Sequence, residues 1–194
     1  MTENILKKLN EIHPITSEGR AVFLPLLESV TIEQKEFLIR QGEKAQYVYI
    51  LLDGAVRVFY NKDGNEYNKT FFVSNTFPTP ITALLSNTNC ELSFEALLPC
   101  KLVRFSYKKF RSLFEEHRCF ESLMLRIMEN LWIKKERHDI RMVTNDATTN
   151  YKIFKEEFPG LENQIPQYHI ASYLGITPVQ LSRIRAQLIK SRPN

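Results

Sequence analysis

At Ser106 the chain changes its periodicity, and that switch narrows the possible folds more than any other feature. Before it lie short segments rich in Val, Ile, Tyr and Phe: Glu36–Arg40, Tyr47–Leu52, Ala55–Asn61, Tyr67–Val73, Glu91–Leu97 and Lys101–Ser106. After it, from Tyr107 to Val143, there is neither Gly nor Pro. Strands gathered at one end and helices at the other predict an α+β chain. The strand segments are separated by turn residues, Gln41-Gly42-Glu43, Asp53-Gly54 and Lys62-Asp63-Gly64-Asn65. Asp-Gly between such segments signals a hairpin, because glycine takes positive φ without steric cost. Many short strands with regular turns predict a small antiparallel barrel or jelly roll. Two helices are expected ahead of it, over 3–12 and 17–28. The first begins its apolar stripe at Asn4, Ile5, Leu6 and Leu9 and stops at Pro14. The second opens with Ser17 and Glu18 and is expected to bury Val22, Phe23, Leu26 and Leu27.

The stretch Tyr107–Val143 predicts one long helix. Its apolar positions, among them Phe110, Phe114, Phe120, Leu123 and Ile127, form a stripe wider than one neighbouring surface requires. Met124, Met128, Leu131, Lys135, His138 and Met142 follow the 4-3-4-3 spacing of a coiled-coil seam. One side can pack on the barrel and the other on a second copy; a plain core helix is the alternative. A break at Thr144-Asn145-Asp146 precedes a helix near Ala147–Phe158, closed by Pro159-Gly160. Three parts are expected: a barrel with its leading helices at 1–106, a connecting or dimerisation helix at 107–143, and a C-terminal helical domain at 144–194.

Within that last part, Ile165–Leu188 matches a helix-turn-helix. Ile170, Leu174 and Ile176 supply apolar packing, Ala171 is small where two helices cross, and Gly175 suits a left-handed turn. Thr177 can cap the second helix, and Pro178 suits its first position. Leu181, Ile184 and Leu188 face inward, leaving Val179, Gln180, Ser182, Arg183, Arg185 and Gln187 outward with no carboxylate among them. Arginine can bond guanine O6 and N7 together, and glutamine can do the same with adenine N6 and N7. Val179, Gln180 and Arg183, near the start of the helix, are therefore the expected base readers. Tyr168, Thr177, Ser182 and Arg185 are expected at phosphates. A helical hairpin used for protein contact is the alternative.

Charge agrees with that placement. Residues 1–100 hold 9 Lys/Arg against 12 Asp/Glu, residues 101–160 hold 13 against 9, and residues 161–194 hold 4 against 1. The basic excess thus lies at the helix-pair end, fitting approach to phosphates or simply a solvated basic surface. Cys90, Cys100 and Cys119 are odd in number and unpaired in spacing, which fits a reducing cytoplasm. The opening MTENILKKLNEI has no apolar core, so no signal peptide is expected. The uncharged run from Thr70 to Cys90 carries two prolines and many Ser, Thr and Asn residues, so it is not read as a membrane span.

Barrel, long helix and terminal helix-turn-helix together resemble the Crp/Fnr family of bacterial transcription regulators. The likeness rests on Arg40-Gln41-Gly42-Glu43, on Tyr49-Ile50-Leu51-Leu52-Asp53-Gly54-Ala55-Val56, on Ile165–Leu188 and on the helix between them. It implies a homodimer joined along the long helices, double-stranded DNA with a palindromic site as target, and RNA polymerase as a possible partner. Half-sites would lie about one helical turn, roughly 34 Å, apart. Many relatives continue into a β-hairpin wing, whereas this sequence stops at Ser191-Arg192-Pro193-Asn194; Lys190 and Arg192 are expected to replace part of that contact.

The sensor function of the family transfers poorly. Its cyclic-nucleotide binders use a Gly-Glu at the ribose and an Arg-Ser/Thr pair at the phosphate. The corresponding stretch, Phe77 to Cys90, has no glycine, acid or arginine, and no arginine occurs from Val58 to Val103. A buried phosphate diester needs a charge partner, usually a bidentate arginine, so cyclic AMP is not expected. Three cysteines 10 and 19 residues apart do not supply an iron–sulfur cluster. His13, His117, His138 and His169 all fall outside the strands, which argues against haem and reads them as surface or interface residues. Any pocket would be lined by Phe71, Phe72, Phe77, Thr79, Thr82 and Ser86, suiting a small neutral ligand, or these residues are simply core. Residues 30–106 contain no histidine, which argues against a metal-dependent barrel enzyme, and no catalytic constellation is evident. A protein-binding adaptor that lost DNA is the remaining alternative.

Overall fold

A computed structural model describes Thr2–Lys190, with the side chains of Thr2 and Asn4 left aside. The chain begins with helices α1 (Thr2–Ile12) and α2 (Ser17–Phe23). Thr16 caps α2, its hydroxyl accepting from the Gly19 N–H at 3.1 Å. The helix expected to reach residue 28 ends sooner, because Pro25 has no N–H for the ladder and the chain tightens into a single turn at Leu24–Leu26. Of its four expected core residues Phe23 is fully buried, while Val22 is exposed.

Seven strands follow: β1 (Glu28–Ile32), β2 (Phe37–Ile39), β3 (Tyr47–Asp53), β4 (Ala55–Lys62), β5 (Asn65–Val73), β6 (Ser93–Ala96) and β7 (Cys100–Ser106). They form two antiparallel sheets, ordered β1-β7-β3 and β2-β6-β4-β5. β1 was not anticipated; its alternation is confined to Ser29–Ile32, and none of its residues is fully buried. At the β3–β4 corner only glycine fits. A Cβ on Gly54, with φ +102°, would stand 2.5 Å from the Pro99 carbonyl oxygen. Asp63 and Gly64 both take positive φ and join β4 to β5 as the Asp-Gly signal requires. A short helix, α3 (Ile81–Ser86), interrupts the run between β5 and β6.

The predicted single helix after Ser106 is two: α4 (Tyr107–Ser112) and α5 (Arg118–Thr144). Phe110 and Phe120 explain the break. On one helix, ten residues apart, they would be separated by about 15 Å along the axis. Their rings instead lie 5.6 Å apart in a cluster with Phe23 and Phe105 that seats α1, α2, α4 and α5 on the three-stranded sheet. Asp146 then caps α6 (Ala147–Glu157), accepting from the Thr149 N–H at 2.7 Å, and α7 (Gln167–Tyr173) and α8 (Pro178–Lys190) complete the chain.

The C-terminal helices are not a free appendage. Phe71 of β5 packs edge-on against Phe154, Phe158 and Tyr173, with ring centroids 5.8, 5.7 and 5.5 Å away. One apolar core therefore runs from Ala55, Phe71 and Leu97 of the barrel into Tyr151, Ile170, Leu181 and Ile184.

Candidate nucleic-acid interface

Gly175 takes φ +67° between α7 and α8, the left-handed turn that its position demands. Leu181 and Ile184 are buried beneath α8 with Ile170 and Ala171 of α7. At the start of α8, Thr177 and Gln180 hold each other. The Thr177 hydroxyl accepts from the Gln180 N–H at 3.2 Å, and the Gln180 side-chain oxygen accepts from the Thr177 N–H at 2.9 Å. This is a capping box, and it satisfies two N–H groups that the helix itself leaves open. Gln180 therefore has its amide oxygen committed to the backbone, and a two-point bond to adenine would require breaking the box.

The other expected contact residues divide clearly. Val179, Ser182 and Arg183 are exposed on α8, and Tyr168 is exposed near the start of α7. Val179 and Arg183, four residues apart, share one helical face. Arg185 is half-buried and donates to the Glu162 carbonyl at 3.3 Å, so it braces the segment before α7. Lys190 closes α8, and Arg192 lies outside the described residues.

The residues expected as a dimer seam share one face of α5, and most of that face is turned to the chain's own domains. Met124, Met128 and Leu131 line a cavity against the barrel. His138 meets the Tyr173 hydroxyl at 3.3 Å and Arg141 at 3.5 Å, and Met142 receives the Asn150 side-chain amide at 3.9 Å. Burial, then the Arg141 charge, pushes the His138 imidazole below its ordinary value. Lys135 is exposed and paired with Asp139. Leu125, Trp132, Ile140 and Val143, on other faces of α5, are exposed.

That cavity, about 110 Å³, lies between barrel and α5 and holds three of the six expected pocket residues, Phe72, Phe77 and Thr79. Phe71 faces the other way, into the C-terminal core. Thr82 and Ser86 sit on the exposed side of α3, where the Ser86 hydroxyl donates to the Thr82 carbonyl at 2.7 Å. The Thr79 hydroxyl is used up within the wall, accepting from the Tyr49 N–H and donating to the Tyr49 carbonyl. No charged side chain lines the cavity. Sites for small molecules span about 300–1,000 Å³, so this cavity is smaller than such sites and offers a phosphate no charged partner. Burial raises the Cys90 thiol and pushes that of Cys100 up to about 11, which leaves neither as a nucleophile near neutral pH. Among the described residues no cluster of His, Cys, Asp or Glu could hold a metal, and no helix is long and apolar enough to cross a membrane.

One set of residues escaped the sequence reading. Arg57, in the fully buried run of β4, donates through Nε to Glu95 at 2.6 Å and also pairs with Glu66. Its Nη1 lies 3.2 Å from Nδ1 of His169 on α7, and the Asn68 amide nitrogen lies 3.3 Å from the same atom. Both neighbours are donors, so Nδ1 accepts and a neutral ring carries its proton on Nε2. Burial, followed by the Arg57 charge, pushes His169 down to about 4. The Ser172 hydroxyl meanwhile accepts from the Asn68 N–H at 3.0 Å and donates to the Glu66 carbonyl at 3.1 Å. The available signal was an arginine inside the alternation Ala-Val-Arg-Val-Phe, where a charge has no place unless it is paired.

Comparison with known proteins agrees with this architecture. Residues 29–117 match the cyclic nucleotide-binding domain family. The cAMP-activated global transcriptional regulator CRP of Pasteurella multocida (strain Pm70) is 33% identical over 82 residues, which are 42% of this chain and 39% of that protein. FixK2 from Bradyrhizobium japonicum superimposes with a TM-score of 0.71 at 19% identity, over 84% of this chain and 85% of its own. The c-di-GMP responsive global regulator CLP of Xanthomonas campestris gives 0.64 at 17% identity, over 88% and 90%. A CooA mutant from Carboxydothermus hydrogenoformans gives 0.66 at 17% identity, over 87% and 78%. Two antiparallel sheets, a long helix and a terminal helix pair are the fold of the described residues. Residues 29–117 thus carry the likeness to the cyclic nucleotide-binding domain, and the chain around them shares the fold of FixK2, CLP and CooA.

Proposed function

We propose that this chain is a homodimeric, sequence-specific DNA-binding transcription regulator that works on a palindromic site without cyclic AMP. The observation that carries the reading is the exposed, acid-free face of α8, with Val179 and Arg183 free on a helix whose start is fixed by a capping box. Arg183 reads a guanine edge in the major groove, and Tyr168, Thr177 and Ser182 set register on phosphates. Gln180 holds the helix start, and Arg185 acts mainly through Glu162. The apolar cavity under α5 and the missing arginine make cyclic AMP a poor fit, so the cyclic nucleotide-binding domain serves here as a scaffold. RNA polymerase is the expected protein partner, by likeness to the family. A second reading, a regulator gated by a small apolar ligand, is favoured only by that same cavity.

The test is Arg183→Ala against the preferred duplex, read by fluorescence anisotropy at fixed salt. Loss of about 1–3 kcal/mol, with relaxed preference at one base pair, is the expected result. Unchanged affinity and unchanged preference would remove Arg183 from the reading role.

A further inference from the structure

The buried group of Arg57, Glu95, Asn68 and His169 belongs to neither expected site, yet it joins the barrel to the first helix of the DNA-binding pair. β5 is the outer strand of its sheet. An outer strand leaves N–H and C=O groups unpaired, and something must cover them. Here α7 does so through a single hydroxyl, since Ser172 serves the Asn68 N–H and the Glu66 carbonyl together. One turn earlier on α7, His169 receives Arg57 and Asn68, and its own carbonyl accepts from the Asn68 amide at 3.2 Å.

The apolar contacts around Phe71 hold the two domains together, but burial of apolar surface is non-directional and tolerates sliding. Hydrogen bonds between buried groups do not. Arg57 is fixed in turn from the barrel side, where two bonds to Glu95, one to Glu66 and stacking 3.9 Å over Phe59 leave its guanidinium a single pose. We propose that Arg57 and His169 are positioning residues for DNA recognition, clamping α7 on β5 so that the barrel, and not the junction at residues 144–146, sets where α8 points. Neither side chain touches DNA. In a two-fold dimer the direction of α8 fixes the distance between the two reading faces, so the clamp specifies the half-site spacing while leaving the half-site sequence to Arg183.

This rests on the DNA-binding reading, and the test separates the two. Arg57→Met/Glu95→Met replaces the buried pair with apolar groups of similar length. His169→Ala cuts the link from the helix side and leaves the barrel pair whole, which keeps the question open if the first variant folds poorly. Spin labels go on Lys101→Cys of the barrel and Ser182→Cys of α8, in a Cys119→Ala background. Labelled chains are diluted into unlabelled ones, so that only distances within a chain are read. The wild type should give one narrow distance and each folded variant a broad distribution. In a pool of duplexes holding two half-sites at varied spacing, the wild type should enrich one spacing and the variants several, all with the same half-site sequence. A narrow, unchanged distance in both variants, or the same single spacing, would overturn the clamp. A wild type that enriches no duplex would overturn the DNA reading alone, and the distances would still decide the clamp.

Discussion

His169 lies far below its ordinary value, and it makes a direct prediction. Its imidazole titrates near 4 when folded and near 6.5 when unfolded. Between those values the unfolded chain binds more protons, so stability falls as pH drops from about 6.5 toward 4. The loss attributable to this residue is on the order of 3 kcal/mol. Denaturant titrations at pH 7 and pH 4.5 should show a gap that shrinks in His169→Phe. His138, lowered for the same reason, supplies part of the remainder. An equal gap in both proteins would mean that His169 is not buried as a neutral ring. Arg57→Ala should cost about 3–5 kcal/mol at neutral pH, because it strands the buried Glu95 carboxylate. Gln180→Ala should cost about 1 kcal/mol through the lost cap, measured on the same titrations. Local chemistry of this kind was readable only where a residue acts on its neighbours. Thr177 as a cap followed from the stretch Thr-Pro-Val-Gln. The partners of Arg57 lie 9, 38 and 112 positions along the chain, and nothing in a single sequence brings them together.

At the level of elements, the strands bounded by Asp-Gly turns and the helix pair with its central glycine were legible, because each signal is local and steric. β1 was missed and α2 overextended for one connected reason. The chain leaves the helix at Pro25 and pairs with β7, a partner some 70 positions away. The long helix was read as unbroken because no Gly or Pro marks residues 113–117; the break is imposed by the aromatic cluster that both Phe110 and Phe120 must reach. The heptad on α5 is a real periodicity, and within one chain several of its members contact the chain's own barrel and C-terminal helices. Its apolar members face the barrel, while His138 and Met142 face α6 and α7. Of the heptad's apolar members only Leu131 is exposed, and the most accessible apolar residues of α5 lie off the seam, with Trp132 67% and Val143 84% accessible. A dimer joined along α5 should therefore depend on Trp132. Trp132→Asp is expected to raise the dimer dissociation constant by about 30-fold or more, read by sedimentation velocity, whereas Lys135→Ala should leave it unchanged. The reverse order would restore the seam expected from the heptad.

For the whole molecule, barrel and helix pair share one apolar core and one buried polar clamp, so a hinged reader on a separate sensor is a poor description. Such a chain holds its terminal helix pair in place with its own side chains. The cavity under α5 has no charged side chain to pair with a phosphate, and on the function proposed above cyclic AMP does not shift that arrangement. The measurement that tests this most directly is selection of bound duplexes from a random pool by the purified protein, near physiological salt, with and without cyclic AMP. The account predicts enrichment of one palindrome, identical in both arms. Enrichment that appears only with cyclic AMP, or no enrichment in either arm, would contradict it.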